Sequence, residues 1–242
     1  MPKISAKNGV ILISGYNFST YFNSFEVNSD ANKVDVTGFG DGSQNFIPTV
    51  PSATINGNVF WDSAANKTHL ALASRPTGQV TIMPEGYALG NPTISLPFMQ
   101  GNYNPKGAPN AALEIGTLNF ESYGNNYGVE HGWALAHGSI TTTTTGTGFD
   151  DPSGAAVTAA CSGTLHIWSA TSTDTYVIKI QHSTTLGSGY ADLVTFTSNG
   201  TSIGAERITV ASGTVNRYRR VLATRTGSAG DTLGFSVHFN HQ

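Results

Sequence analysis

A glycine-rich run at residues 38–43 is the first part of this sequence whose residue types could do chemistry. Glycine-rich loops bind phosphate groups through backbone N–H groups when a lysine and a helix follow them. Here no lysine lies between Lys33 and Lys67, and Pro48 and Pro51 stand between the glycines and the next alternating segment. The run therefore fits neither a nucleotide phosphate loop nor a dinucleotide-binding fingerprint.

The aspartates, the histidines and the single cysteine lack the spacing of metal sites. A calcium loop needs oxygen ligands at alternate positions, and the series that starts at Asp30 ends at Val34. None of the seven histidines has HxxxH spacing or pairs with Cys161 at zinc spacing. His131 and His137 would share a strand face but lie ~20 Å apart, at about 3.3 Å per residue. We therefore expect no metal and no cofactor.

Two pairs of carboxylates, Glu114 with Glu121 or Glu121 with Glu130, could be brought together by folding. Glycosidases need two acids about 5–10 Å apart, but nothing in the spacing of these residues selects a pair. The sequence also contains no Gly-x-Ser-x-Gly nucleophile elbow. We therefore expect a protein that is not an enzyme.

The one basic cluster lies in the segment NRYRRV and contains Arg217, Arg219 and Arg220. If the segment is a strand, Arg217 and Arg219 point to one face and Arg220 to the other. The cluster could contact nucleic acid or acidic glycans from an outer module. The alternative is a solvated strand edge or a set of local ion pairs.

The composition favours strands over helices. The chain has 242 residues, of which 38% are hydrophobic and only 11% are charged, against about 25% charged in an ordinary globular protein. The missing charge is replaced by Ser, Thr, Asn and Gly, which suit strands, turns and neutral surfaces. Protein interfaces bury such surfaces readily, because interface cores are depleted in charge. We predict an all-β protein with a neutral surface.

The charge and the cysteine content limit the possible partners and the cellular compartment of the protein. The net charge is −3, so no overall basic field attracts nucleic acid. Cys161 is the only cysteine, which excludes a disulfide within the chain. The apolar run from Val10 to Ile13 is too short for a secretory signal, and no stretch approaches the ~18 apolar residues of a membrane span. We expect synthesis and folding in a reducing cytoplasm and no membrane partner.

Short alternating segments with turn residues between them recur along the chain, which is the pattern of an all-β fold. The predicted strands lie at residues 33–39, 53–61, 79–84, 93–100, 113–122, 131–141, 163–171, 175–183, 191–198, 206–212, 218–226 and 233–241. One segment favours a helix. Asp62 and Ser63 can cap residues 64–74, and the Arg75-Pro76 pair ends the segment.

A change in composition predicts a domain boundary. The stretch SITTTTTGTGFDDPSGAAVTAA is rich in threonine and then contains Gly, Asp and Pro, as linkers do. We predict a first domain at residues 1–145, a linker at 146–159 and a compact β-sandwich module at 160–242. Residues 1–145 hold six Lys and Arg against nine Asp and Glu, whereas the remainder holds six of each. The negative excess therefore lies in the first part.

The order of segments resembles a known family. The stretch ISGYNFSTYFNSFEVNSDANKVDVTGFGDGSQNFIPTVPSATINGNVFWD resembles the N-terminal half of major tail proteins, the tail tube proteins of long-tailed bacteriophages. GQVTIMPEGYALGNPTISLPFMQGNYNP and VEHGWALAHG match their following strands, so the resemblance covers about residues 10–140. Residues 160–242 resemble the C-terminal β-sandwich modules, immunoglobulin-like or similar, that some of these proteins carry outside the tube.

The resemblance implies a fold and a function. It implies a tail-tube β-sandwich or barrel with one flanking helix, in a structural virion protein that self-assembles into stacked, usually hexameric rings. The rings form the tail tube, through which genome DNA passes during ejection into the host without specific binding. The implied partners are tail tip, tape measure and terminator proteins. The implied location is the virion tail, after synthesis and assembly in the host cytoplasm. An acidic tube domain agrees, because it repels phosphates within the ~8–10 Å screening length.

The resemblance implies that the glycine-rich run belongs to a loop between two strands and that this loop reaches the neighbouring ring. Its predicted stacking residues are Phe39, Gly40, Asp41, Gly42, Phe46 and Ile47. We expect its glycines to adopt turns closed to other residues. The alternative function is a glycan-binding β-sandwich protein that attaches to the host surface, with Trp61, Trp133 and Trp168 as stacking platforms.

Overall fold

The computed structural model describes residues 6–49, 51–124, 128–152, 161–210 and 213–241. The protein is 56% strand and 3% helix, so the predicted all-β class with one α-helix is confirmed. In these described segments, no helix has the length and apolar character needed to cross a membrane.

The strands follow one another with short connections. They are β1 (Val10–Ile13), β2 (Tyr16–Asn17), β3 (Phe22–Asp30), β4 (Lys33–Asp35), β5 (Phe46–Pro48), β6 (Ser52–Phe60), β7 (Thr77–Met83), β8 (Pro92–Gln100), β9 (Pro105–Lys106), β10 (Glu114–Ser122), β11 (Glu130–Ile140), β12 (Thr144–Thr145), β13 (Phe149–Asp150), β14 (Cys161–Ser169), β15 (Thr175–Ser183), β16 (Ala191–Thr195), β17 (Gly204–Val210), β18 (Tyr218–Thr226) and β19 (Leu233–His241). The helices are a 3-10 turn (Ala6–Asn8) and α1 (Thr68–Leu72).

The contacts divide the chain into two compact units, of which the first comprises residues 1–19, 78–95 and 130–242. In this unit one sheet has the order β17-β14-β19-β11-β8, and a second sheet has the order β12-β18-β15-β16 with β13 also on β18. A shared hydrophobic core lies between them, made of side chains that include Leu165, Ile178, Val221, Val237 and Phe239. The C-terminal part is therefore a two-sheet β-sandwich, as the strand spacing predicted.

The second unit comprises residues 20–77 and 96–129. Its sheet has the order β8-β10-β6-β3. Alternate residues of β6 are buried, so Ile55 and Val59 face a core that also holds Phe98 and Phe120. The other face of the same sheet is mainly polar, with Phe60 and Met99 also exposed on it. A separate two-stranded sheet, β4 with β5, belongs to this unit as well.

The boundaries of the two compact units differ from those of the predicted domains at 1–145 and 160–242. Strand β11 pairs with β19 from His131–His241 to Ile140–Leu233, so a strand of the predicted first domain lies in a C-terminal sheet. In the predicted linker, residues 149–150 pair with β18, while residues 153–160 lie outside the described part. Independent folding of residues 1–145 stays a prediction.

The helix is shorter than the predicted 64–74, because the chain first makes a local turn. The Asp62 carboxylate accepts the N–H of Ala64 at 2.8 Å, and Asn66 has a left-handed φ of 61° that an α-helix excludes. The Thr68 hydroxyl then donates to the carbonyl of Phe60 at 2.8 Å. The α-helix proper begins at Thr68.

Candidate functional site

The β4–β5 hairpin, residues 33–48, is the most exposed element of the second unit. Val34 pairs with Ile47 and Asp35 with Phe46, and the N–H of Val36 donates to the carbonyl of Asn45 at 2.9 Å. Every residue from 29 to 49 is exposed. The predicted inter-strand loop is thus a projecting hairpin with its own pairing.

Side-chain hydrogen bonds shape the tip of the hairpin. The Asp41 carboxylate accepts the N–H of Gly38 at 2.8 Å and the side-chain amide of Asn45 at 2.9 Å. The Asp35 carboxylate accepts the N–H of Thr37 at 2.9 Å and also its hydroxyl. These bonds lower the pKa of both carboxyl groups below the usual range, so the tip carries negative charge at neutral pH.

The expectation that this turn requires glycine is wrong. None of Gly38, Gly40 and Gly42 is among the described glycines with positive φ. A Cβ at Gly40 or Gly42 would meet no atom within 4 Å. The Asp41 carboxylate stabilises the turn, because it accepts hydrogen bonds from both Gly38 and Asn45. The glycines leave the surface of the turn without side chains.

Five large apolar side chains of the hairpin are exposed to solvent. Their exposed fractions are Val34 52%, Val36 45%, Phe39 116%, Phe46 42% and Ile47 54%. The pairing register puts Val34, Val36 and Ile47 on one face. Phe46 lies on the other face beneath the Lys33 ammonium, 4.1 Å from its ring centroid. Grouped exposed apolar side chains of this kind mark interaction sites.

The six predicted stacking residues all lie in the hairpin. Phe39, Gly40, Asp41 and Gly42 form its tip, and Phe46 and Ile47 lie in β5. Their contact with a second copy stays a prediction. The sequence reasoning missed Val34 and Val36, although their alternation with Asp35 is a strand signal that puts both on one face.

The basic cluster makes local contacts. Arg217 binds Asp150 through two nitrogens, at 2.5 and 2.8 Å. The Nε of Arg220 donates to the side chain of Gln181 at 2.9 Å, and its guanidinium lies 4.0 Å from the Tyr190 ring centroid. Local pairing, the alternative left open by the sequence, therefore describes both residues.

Arg219 requires a correction, because it cannot serve as an outward contact. Its side chain is fully buried, pairs with Asp151 and lies over the Phe239 ring, with 4.1 Å between guanidinium carbon and ring centroid. Arg219 alternates with Val221 and Ala223, which face the core. The prediction that Arg217 and Arg219 share one strand face is wrong, because Arg217 lies before β18 and is exposed, whereas Arg219 faces the core.

The three carboxylates considered as catalytic candidates lie in different environments. Glu130 is buried and binds Arg207 through both oxygens, at 2.7 and 2.5 Å. Glu114 lies 3.8 Å from the Lys106 ammonium, and Glu121 is exposed on β10. Within the described segments, no three His, Cys, Asp or Glu side chains are placed to hold a metal ion.

Of the three tryptophans proposed as glycan platforms, two pack against histidines. Trp61 lies 5.0 Å from the His69 ring centroid and Trp168 4.6 Å from that of His137. Trp133 lies 5.9 Å from the Phe149 ring centroid and also lines a cleft of about 310 Å³ in the first unit. Sequence reasoning could not find this cleft, because residues far apart in the chain form it.

Comparisons with known proteins find remote structural neighbours. No protein-family model and no curated protein matches the sequence. Among solved structures, a chain in the virion of a native gene transfer agent is 16% identical, covering 51% of this chain and 96% of that chain at a TM-score of 0.41. A chain in the tail of the empty gene transfer agent particle, refined with C6 symmetry, is 17% identical over the same shares, also at 0.41.

A third neighbour is the Dit protein of SPP1, described as a hub of the adsorption apparatus in phages that infect Gram-positive bacteria. It is 11% identical, with 96% of this chain and 98% of that chain covered and a TM-score of 0.34. The neighbours are thus tail and hub proteins. Because these TM-scores lie below 0.5, the likeness carries no residue roles over to this chain.

Proposed function

We propose that this chain is a structural, non-enzymatic protein of a phage-type tail that self-assembles into rings stacked as a tube for genome DNA. The observation that carries the proposal is the β4–β5 hairpin, which is exposed throughout and presents five large apolar side chains. The segment order resembles that of tail tube proteins, which supports the same function.

The hairpin needs a protein partner for physical reasons. A two-stranded hairpin is marginally stable in water, and burial of an exposed Val, Ile or Phe side chain stabilises by about 1.5–3 kcal/mol. Val34, Val36 and Ile47 form a continuous aliphatic face that only another protein surface can cover. A copy of the same chain is the partner that tube assembly supplies.

The polar face of the second unit suits a DNA conduit. Adjacent strands are joined by side-chain amides, with Asn119 donating to Asn56 at 3.0 Å and Asn58 to Ser24 at 3.3 Å. The pairing register puts Glu26 and Glu121 on this same face. Amides that already donate hydrogen bonds within the sheet, beside carboxylates, offer phosphates little attraction. We assign this face to the lumen.

The rest of the proposal follows the sequence resemblance. The rings are hexameric, and the tube contacts tail tip, tape measure and terminator proteins in the virion. DNA passes without specific binding. Assembly takes place in the host cytoplasm, and no cofactor takes part.

Electron microscopy of the purified chain tests the proposal. We expect rings or tubes from the wild type and their loss in the double variant Val34→Asp/Ile47→Asp, because two buried carboxylates would face each other across the hairpin. Leu70→Asp is the matched control, since Leu70 is 58% exposed on α1 outside the hairpin. A wild-type chain that stays monomeric at high concentration, even with tail tip and tape measure proteins, would overturn the proposal.

A further inference from the structure

Phe39 has the shape of a knob at the tip of the hairpin. With an exposed fraction of 116%, it is the most exposed large apolar residue of the described chain. Gly38 and Gly40 flank it, and no atom lies within 4 Å of the position where Gly40 would carry a Cβ. A phenyl ring held clear of its own chain in this way can enter a recess on another molecule.

The cleft that contains Trp133 is built from three strands of the first unit. Trp133 lies opposite Pro92, and His131 lies opposite both Ile94 and His241. Directly paired residues of antiparallel strands share one face, so these five side chains form one wall. Pro84, which follows β7, completes the lining.

The chemistry of this wall favours an apolar ring. Its lining is mostly apolar and includes Pro92, Ile94 and Trp133. The imidazoles of His131 and His241 also line it, and Nε2 of His241 lies 2.9 Å from the Asp151 carboxylate. A sugar would need several converging hydrogen-bond donors and acceptors. A cavity of about 150 Å³ holds a benzene ring, so a cleft of about 310 Å³ accepts a phenyl group. The acidic Asp41, two residues from Phe39, would come to lie near the exposed His131.

We propose that Phe39 of one copy inserts into the Trp133 cleft of a second copy. The contact is heterologous, because the knob and the cleft are different surfaces of the same chain. Heterologous contacts produce closed rings or open filaments. The inference rests on the proposed function and deepens it, since it names the surface that receives the hairpin.

Cysteine cross-linking between two single variants tests the contact. Gly40→Cys, which keeps Phe39 and would meet no atom within 4 Å of its Cβ, and Ile94→Cys are purified separately, mixed and oxidised, so that only contact between copies yields a heterodimer. Cys161 does not compete, because its side chain is 1% exposed and burial raises the pKa of its thiol to about 11. Leu89→Cys is the matched control partner, since Leu89 is 38% exposed and lines a different cleft, of about 260 Å³.

We expect cross-linking with Ile94→Cys and little with Leu89→Cys. Phe39→Ala and Trp133→Ala should each weaken assembly about ten- to hundred-fold, and the double variant no more than either single one. Equal yields with both cysteine partners, or additive effects of the two alanine variants, would overturn the contact.

Other outcomes separate this inference from the proposed function. Rings without the cross-link between Gly40→Cys and Ile94→Cys would overturn the contact and leave the tail function standing. The cross-link without rings or tubes would support the contact and overturn the tail function. If mono- and disaccharides bind the wild type but not Trp133→Ala, while Phe39→Ala assembles normally, the cleft is a sugar site and the contact is overturned.

Discussion

At the scale of single residues, the first unit buries polar groups that a strand pattern alone would leave in solvent. Arg219 is paired with Asp151 and lies over the Phe239 ring, and Glu130 is paired with Arg207. Removal of one partner of a buried pair is strongly destabilising, by about 3–5 kcal/mol, because it leaves a charge uncompensated. The few charged residues of this chain thus include several that hold its strands together.

His166 is a buried neutral base whose state depends on pH. Its Nδ1 accepts the N–H of Gly15 at 3.3 Å, so its Nε2 carries the proton and donates to the Thr81 hydroxyl at 2.9 Å. Burial lowers the pKa of His166 from 6.5 to about 3. The neighbouring His238, 6.0 Å away between ring centroids, has its pKa lowered by burial as well.

We predict that acid destabilises the protein through His166. Because the folded-state pKa lies below the unfolded value, the stability is present above pH 6.5 and is lost as the pH falls towards 3. The loss between pH 7 and pH 5 is about 2 kcal/mol for this one group. His166→Gln should reduce the pH dependence of the free energy of unfolding, measured by urea denaturation, by about one proton. The exposed His131→Gln is the control, and an unchanged slope in His166→Gln would contradict the prediction.

At the scale of elements, two loops of the sandwich are joined by hydrogen bonds, because a carboxylate in each loop accepts backbone N–H groups of the other. Asp231 accepts the N–H groups of Ser172 and Thr173 at 2.9 and 2.8 Å. In return, Asp174 accepts the N–H groups of Gly230 and Asp231 at 2.9 and 3.0 Å. The loop from β14 to β15 and the loop from β18 to β19 are thereby joined.

We predict that Asp231→Asn loosens this loop pair without unfolding the sheets. An amide keeps one acceptor oxygen but loses the charge that strengthens each bond. Amide hydrogen exchange at residues 172–174 and 229–231 should become faster, while exchange in β15 and β18 should stay unchanged. Asp192→Asn is the control, because Asp192 pairs with Lys179 away from these loops. Equal protection in Asp231→Asn and the wild type would show that the carboxylate does not hold the loops.

The strands were predictable because alternation is a local signal. The segments predicted at 175–183, 218–226 and 233–241 have those same bounds in β15, β18 and β19. The helix was overestimated, because one asparagine with positive φ is not visible in a pattern of apolar residues. The Trp133 cleft and the burial of Arg219 could not be predicted from the sequence, because both depend on which distant strands pair and which face of each strand lies towards the core.

At the scale of the whole molecule, the pairing of β11 with β19 bears on how the chain folds. The two strands pair from His131–His241 to Ile140–Leu233, and β19 also pairs with β14. Deletion of residues 150–242 would leave the β19 side of β11 without a partner and expose Leu135, which packs in the sandwich core. An unpaired strand edge beside exposed core residues favours aggregation.

We therefore predict that the truncated chain 1–149 is insoluble or aggregates, whereas the full chain is soluble and folds cooperatively. Size-exclusion chromatography and circular dichroism of both chains make the comparison. The full-length variant Val237→Ala is the control, because it thins the same core without removing the strand. It should stay folded, at a cost of about 1–3 kcal/mol. A soluble 1–149 fragment that still forms tubes would instead establish the sequence-predicted domain at 1–145 and limit the role of β19 to the outer module.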